Sequence, residues 1–254
     1  MLIQEKIEFD LLNNTNDIWA RDYMPIQIEK DKFVAFVYNP DYLQEDKKRI
    51  TLWSKISNLP SISEIKTKLI IDGGNVIKCE DKVIMTDKVF LENRRLQYSK
   101  KEILEELERL FGHVVIIPWN LQDQWDFCGH SDGMIRYIDN NYVLINNFCN
   151  HKENEWLLKD IKNILKANNL NYEQIDYGDG YHGVNDWEYL NFLQVGHKIF
   201  MPTIDKPDLD DKAQRQLKSI YKCEVIPVPL LSVIKANGKY GGGALNCISW
   251  NICK

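Results

Sequence analysis

The chain has 254 residues, enough to bury a sizeable core, and its 44% hydrophobic and 27% charged content is that of a soluble globular protein. A net charge of -5 gives no electrostatic footprint for nucleic acid, and no run approaches the ~18 apolar residues of a membrane span. Six cysteines are scattered without a CxxC pair or zinc-ligand spacing, which reads as reduced thiols in a cytoplasmic setting.

Taken in order, the chain repeats one unit within a single domain, 1–254. Residues 22–28 read as extended, 29–32 as a polar turn, 33–38 as a second strand and 41–57 as a helix. Residues 68–71 lead into Asp72-Gly73-Gly74, then a hairpin of 75–79 and 82–86. A helix over 100–111 follows, with Ile103, Leu104, Leu107 and Leu110 on one stripe. The third pass runs 114–119, Gly129-His130-Ser131-Asp132-Gly133, strands 134–138 and 142–146, and a helix over 152–167. The fourth runs 172–177, a Gly-rich loop, strands 188–195 and 198–202, and a helix over 209–221.

The fifth opens with 223–228, turns through Gly241-Gly242-Gly243 and ends on a predicted strand, 244–250, that carries Cys247. Units of roughly 50–60 residues point to a toroidal or propeller-like array. The last unit lacks its hairpin partner and its helix. The edge beside 244–250 is expected to be covered by residues 2–11 or by another subunit, because bare strand edges invite pairing.

The turns before the inner strands carry the polar residues. Unit one offers Trp19, Arg21 and Asp22; unit two, Asp72 and Asn75; unit three, His130 and Asp132; unit four, Asn191; unit five, Asn246 and Cys247. Singly, each has an ordinary explanation: an Asx turn at Asp72, a loop histidine at His130, a core tryptophan at Trp19, a buried structural thiol at Cys247. Their recurrence at matching places favours one central pocket holding a thiol, an imidazole, carboxylates and an indole. That set suits a guanidinium, whose five N–H donors match paired carboxylates. A thiolate can attack its central carbon, and His130 can protonate the departing nitrogen and then activate water.

At these residues the chain resembles the agmatine deiminases and the bacterial (Porphyromonas-type) peptidylarginine deiminases. The motifs are Asn16-Asp17-Ile18-Trp19-Ala20-Arg21-Asp22-Tyr23-Met24-Pro25, Asp72-Gly73-Gly74-Asn75, Gly129-His130-Ser131-Asp132, Tyr189-Leu190-Asn191-Phe192 and Gly241-Gly242-Gly243-Ala244-Leu245-Asn246-Cys247-Ile248. The resemblance implies the five-bladed α/β propeller of the guanidine-modifying (pentein) superfamily, with the fifth unit incomplete, in a short form lacking an N-terminal module. It implies no metal or organic cofactor. It makes Cys247 the nucleophile, His130 the acid/base, and Asp22 and Asp132 the guanidinium anchors, with Asp72, Asn191 and Trp19 lining the substrate site. The chain departs from the family pattern at Asp72, where Glu is common, at Phe127-Cys128 before Gly129-His130, and at Asn246, where His commonly precedes the nucleophile.

The expected activity is hydrolysis of agmatine or an arginine derivative to a ureido product and ammonia. Two alternatives stay open: an amidino- or dimethylamine-releasing enzyme using the same nucleophile, and a guanidine-binding protein without catalysis. The segments 42–49 and 178–186 are the candidate rim for the far end of the substrate, with Lys47, Lys48 and Arg49 able to hold a carboxylate or to form a solvated face.

Overall fold

The computed structural model describes residues 2–122, 126–148, 154–176, 188–235 and 242–253. Its strands form four three-stranded sheets of one construction, each an antiparallel hairpin plus a third strand parallel to the hairpin's second. The first sheet holds β1 (Ile26–Glu29), β2 (Lys32–Val37) and β3 (Ser63–Ile70), with Ile26 opposite Val34 and Val34 opposite Ile65. The second holds β4 (Ile77–Cys79), β5 (Lys82–Thr86) and β6 (His113–Ile117); the third, β7 (Ile135–Asp139), β8 (Tyr142–Ile145) and β9 (Asn171–Gln174). The fourth holds β10 (Leu193–Val195), β11 (Lys198–Thr203) and β12 (Glu224–Pro229). Asn140 and Asn141 both take positive φ at the β7–β8 turn, the backbone that a two-residue hairpin loop requires.

The helices are α1 (Ala20–Tyr23), α2 (Lys88–Glu92), α3 (Lys100–Phe111), α4 (Glu155–Ala167), α5 (Pro207–Tyr221) and α6 (Leu231–Lys235). The apolar stripe of α3 buries Ile103, Leu107 and Leu110, and Leu104 is partly covered. Ser99 and Glu102 close its N-terminus as a capping box. Ile103 and Leu107 share a core with Phe36 and Leu69 of the first sheet and Val83 and Val114 of the second. α4 buries Leu157, Ile161 and Leu165 with strands of the second and third sheets; α5 buries Ala213 and Leu217 on the fourth. Each fully buried Leu or Ile contributes about 1.5–3 kcal/mol, so neighbouring sheets are welded through these helices.

The structure corrects the sequence reading in five places. The strands near 68–71, 114–119, 172–177 and 223–228 close the preceding hairpin's sheet instead of opening the next, because a crossover lays the returning strand parallel to the one it left. Residues 41–57 form three 3₁₀ turns, Asp41–Leu43, Lys47–Arg49 and Trp53–Lys55, rather than a helix. Contacts to the 16–17 motif hold that path: Asn16 donates to Thr51 Oγ1 and to the Ile50 carbonyl, and Arg49 pairs with Asp17. Asp22 and Tyr23 lie in α1, not in an extended run.

Residues 244–250 form a turn, not a strand, with Ile248 N–H donating to the Ala244 carbonyl. Their amides are engaged by Asn191 instead of a ladder. Residues 2–11 are also not a strand; they turn at 2–6, and Leu2 and Ile7 pack on the fourth-sheet core. The strand edge expected beside 244–250 is therefore not formed.

Short turns precede all four hairpins: α1, then 3₁₀ turns at Gly73–Asn75, Ser131–Gly133 and Glu188–Leu190. Each packs against the next in the series. Of the polar residues singled out above, all but Asn246 and Cys247 sit in or beside these turns.

Candidate active site

Gly73 permits the first of these contacts. A Cβ there would lie 2.0 Å from the Arg21 carbonyl oxygen, so only glycine lets the second turn press against α1. Gly74 N–H then donates to Asp22 Oδ1 at 3.2 Å. His130, leading into the third turn, places its ring between two of these carboxylates. Nε2 is 3.0 Å from Asp72 Oδ2, and Nδ1 is 3.5 Å from Asp22 Oδ1. Thr86 supports this loop from the second sheet, its hydroxyl donating to the Gly129 carbonyl at 2.6 Å. Tyr42 closes the edge of the imidazole, with ring centres 6.2 Å apart, and packs in turn on Phe127 at 5.6 Å.

The other half of the cluster surrounds Cys247. Its Sγ donates to Asp132 Oδ2 at 3.5 Å and receives a hydrogen bond from Asn191 Nδ2 at 3.1 Å. Asn246 donates to the same Asp132 oxygen at 2.7 Å, and Asn191 does so at 3.2 Å. The two halves meet at α1: Arg21 N–H donates to the Cys247 carbonyl at 3.0 Å. The Arg21 side chain reaches Asn246 O and Asn251 Oδ1. Gly243 admits Trp19, since a Cβ there would stand 2.1 Å from the indole. Trp250 ties the following residues back to the first sheet, donating to the Pro25 carbonyl at 2.8 Å and packing on Phe33.

The structure thus brings together every predicted site residue: Trp19, Asp22, Asp72, His130, Asp132, Asn191 and Cys247, all nearly removed from solvent. Gly241 and the rim segment 178–186 lie outside the described residues. Lys47 and Lys48 are on an exposed 3₁₀ turn, while Arg49 grips Asp17 through two hydrogen bonds, 2.9 and 3.1 Å, and so braces the motif that carries Trp19. Sequence reasoning did not find the Tyr42–His130 contact or the buried cation Lys88, which pairs with Asp41 at 2.7 Å and Glu92 at 3.5 Å beneath Tyr42 and Trp119. The i,i+4 spacing of Lys88 and Glu92 was the available signal.

Burial dominates the electrostatics. It raises Asp22 to about 7 against the opposing pull of His130. It disfavours the His130 imidazolium, yet Asp22 and the Asp72 hydrogen bond outweigh it and lift the ring to about 10. Burial, then Asp132 and Asp22, push the Cys247 thiol well above its ordinary value. The resting site therefore pairs a protonated imidazole with a neutral thiol, and a cation among these carboxylates would favour the thiolate. Asp72 Oδ1 is buried without a hydrogen-bond partner among the described residues, an acceptor suited to a donor-rich ligand. No three His, Cys, Asp or Glu side chains among the described residues are arranged to hold a metal ion. Nor is any described helix long and apolar enough to cross a membrane.

A family model for the Porphyromonas-type peptidyl-arginine deiminases matches residues 4–252. Among solved structures, the chain is similar to C. jejuni agmatine deiminase, at 20% identity and a TM-score of 0.68 over 100% of this chain and 78% of that one. A substrate-bound form of that enzyme carrying a Cys-to-Ser replacement gives 20% identity and 0.69, covering 100% and 79%. An agmatine deiminase of Enterococcus faecalis gives 18% and 0.68, covering 91% and 73%. These likenesses concern the fold; no curated protein matches the sequence.

Proposed function

The chain belongs to the Porphyromonas-type peptidyl-arginine deiminase family, and on that footing we propose that it hydrolyses a guanidine C–N bond of agmatine or an arginine derivative through Cys247. One observation carries this reading: a buried thiol in contact with Asp132 lies in the same cluster as an imidazole flanked by Asp22 and Asp72. The Cys-to-Ser replacement in the substrate-bound C. jejuni enzyme is consistent with a reactive cysteine in the fold.

Asp22, Asp72 and Asp132 would receive the guanidinium N–H donors, and their charge disfavours its neutral form. The thiol loses its proton, for which Asp132 Oδ2 is an adjacent acceptor, and the thiolate adds to the guanidinium carbon. The protonated His130 gives its proton to one nitrogen, which leaves as ammonia, and an S-linked thiouronium remains. Neutral His130 then takes a proton from water. The hydroxide adds to the same carbon, and collapse expels the thiolate with loss of the hydroxyl proton, releasing the ureido product. Each such proton transfer is typically worth about 10²–10⁴-fold in rate.

For the whole molecule, we read one domain as a five-part α/β propeller. The four sheets supply four blades, and residues 242–253, seated against α1 and the first sheet, occupy the place of the fifth. The free thiols at Cys79, Cys128, Cys223, Cys247 and Cys253 suit a cytoplasmic enzyme. Incubation with agmatine, free arginine and arginyl peptides, with assay of ammonia and of the ureido product, tests the reading. Failure of every compound to give product would sink it in favour of a guanidine-binding protein.

A further inference from the structure

Asn191 follows the fourth turn, and its position among the site motifs suggests a substrate contact. Its hydrogen bonds leave no room for one. Oδ1 accepts from Ala244 N–H at 3.0 Å and from Cys247 N–H at 3.2 Å, which fixes the orientation of the amide. Nδ2 then has two hydrogens, and both are used, toward Cys247 Sγ at 3.1 Å and Asp132 Oδ2 at 3.2 Å. A side-chain amide has two donors and two acceptor lone pairs, so this inventory is complete. The backbone is engaged as well: Asn191 N–H donates to the Glu188 carbonyl, and Asn191 O accepts from Asn246 N–H at 3.0 Å. The residue is 1% exposed.

We infer that Asn191 is a positioning residue that sets the geometry and the ionisation of Cys247, and that it does not touch the substrate. This rests on Cys247 being the nucleophile. One amide holds the nucleophile's backbone through Oδ1 and its sulfur through Nδ2, so the backbone cannot shift without moving the donor that steadies the sulfur. A donor at 3.1 Å favours the thiolate over the thiol, and it is fixed there before any ligand arrives. The same amide holds Asp132 Oδ2, with Asn246 as second donor.

The test compares ligand-free wild-type protein with Asn191→Asp, which keeps acceptors for the two backbone amides and loses both donors. Iodoacetamide alkylation of Cys247 is followed against pH, the modified peptide being identified by mass spectrometry. Because only the thiolate reacts, a midpoint raised by one pH unit slows alkylation about tenfold below it. The expected result is a midpoint at least that much higher. With agmatine, kcat should fall about tenfold or more while KM stays within about threefold. A raised KM with unchanged kcat and an unchanged alkylation profile would overturn the inference and make Asn191 a substrate ligand.

If Asn191→Asp does not fold, Asn191→Ser is the second variant. Amide hydrogen exchange in the wild type decides independently of both: the Ala244 and Cys247 amides should be protected without ligand, and rapid exchange at both would refute the clamp. Should wild-type protein turn over no guanidine compound, the proposed reaction fails, yet the alkylation comparison still decides the role of Asn191.

Discussion

Asp72 meets His130 at full hydrogen-bond length, Oδ2 to Nε2 3.0 Å, and so holds both the orientation of the ring and its proton. Asp72→Asn should lower the alkaline limb of the pH–rate profile, because the imidazolium loses its bonded anion, and should reduce kcat by about 10²-fold. Asp72→Glu keeps a carboxylate and should be the milder change. Steady-state rates on agmatine between pH 5 and 10 would show it, and an alkaline limb that does not move would contradict the assignment.

Cys247→Ser should abolish ammonia release, by about 10⁴-fold or more, while leaving the fold intact. The serine hydroxyl can still bond Asp132 and Asn191, the two side chains that hold the sulfur. Circular dichroism and a thermal melt alongside the assay separate loss of chemistry from loss of structure. Residual turnover near the wild-type rate would rule Cys247 out as the nucleophile.

Stability should fall as pH rises, which is opposite to the behaviour of salt-bridged carboxylates. His130 is lifted from 6.5 to about 10 in the folded protein, so its contribution is complete below pH 6.5 and is lost as pH climbs through about 10. Asp22, raised from 3.8 to about 7 by burial, acts in the same direction at lower pH, since the folded state holds its proton more tightly. Urea midpoints at pH 5.5, 7.5 and 9.5 should decrease in that order. In His130→Gln the decline between pH 7.5 and 9.5 should flatten; an equal decline in both proteins would remove His130 as its source.

Gly243→Ala should damage both stability and activity. The new Cβ would stand 2.1 Å from the Trp19 ring, so the indole or the nucleophile turn must move. Overpacking of this kind costs about 1–3 kcal/mol. Pairing it with Trp19→Leu should recover part of the loss, giving a non-additive cycle in denaturant titrations. Strict additivity would show that the two positions are not in contact.

Lys88→Met should destabilise the fold by about 3 kcal/mol, because the nearly buried Glu92 loses its counter-charge. Burial, with Asp72 and Asp41 adding to it, raises Glu92 to about 8. The penalty should therefore be smaller at pH 6, where Glu92 holds a proton, than at pH 9, where it is ionised. Denaturation of wild type and variant at these two pH values checks the sign, and a larger penalty at pH 6 would reverse it.

The repeating hairpins and the α3, α4 and α5 helices were legible because period and turn chemistry are local properties. The candidate site residues of the first four modules were legible because each module carries its polar group at the same point, just before a hairpin, whereas Cys247 lies in a turn that no described hairpin follows. Three things were not written locally. Which sheet receives the strand after a helix is decided by the crossover, so local pattern alone groups β3, β6, β9 and β12 one module late. Residues 244–250 have strand-like composition, but Asn191 takes their amides, so tertiary hydrogen bonds override propensity. The 41–57 stretch lacks a compact apolar stripe and follows the motif that Asn16 and Asp17 impose on it.

The tie between Arg21 and the Cys247 turn has a consequence for synthesis. The Arg21 side chain and the Asn246 carbonyl that it bonds are 225 residues apart. During translation the carboxylates of the first three modules emerge long before the thiol does, and the thiol meets them only when the last turn docks on α1. A partly made chain thus carries Asp22, Asp72 and Asp132 without the thiol of Cys247. Under the proposed reaction, activity appears only once residues 242–253 have docked on α1, and the lag between dilution of the denatured protein out of urea and the first turnover would report that docking directly.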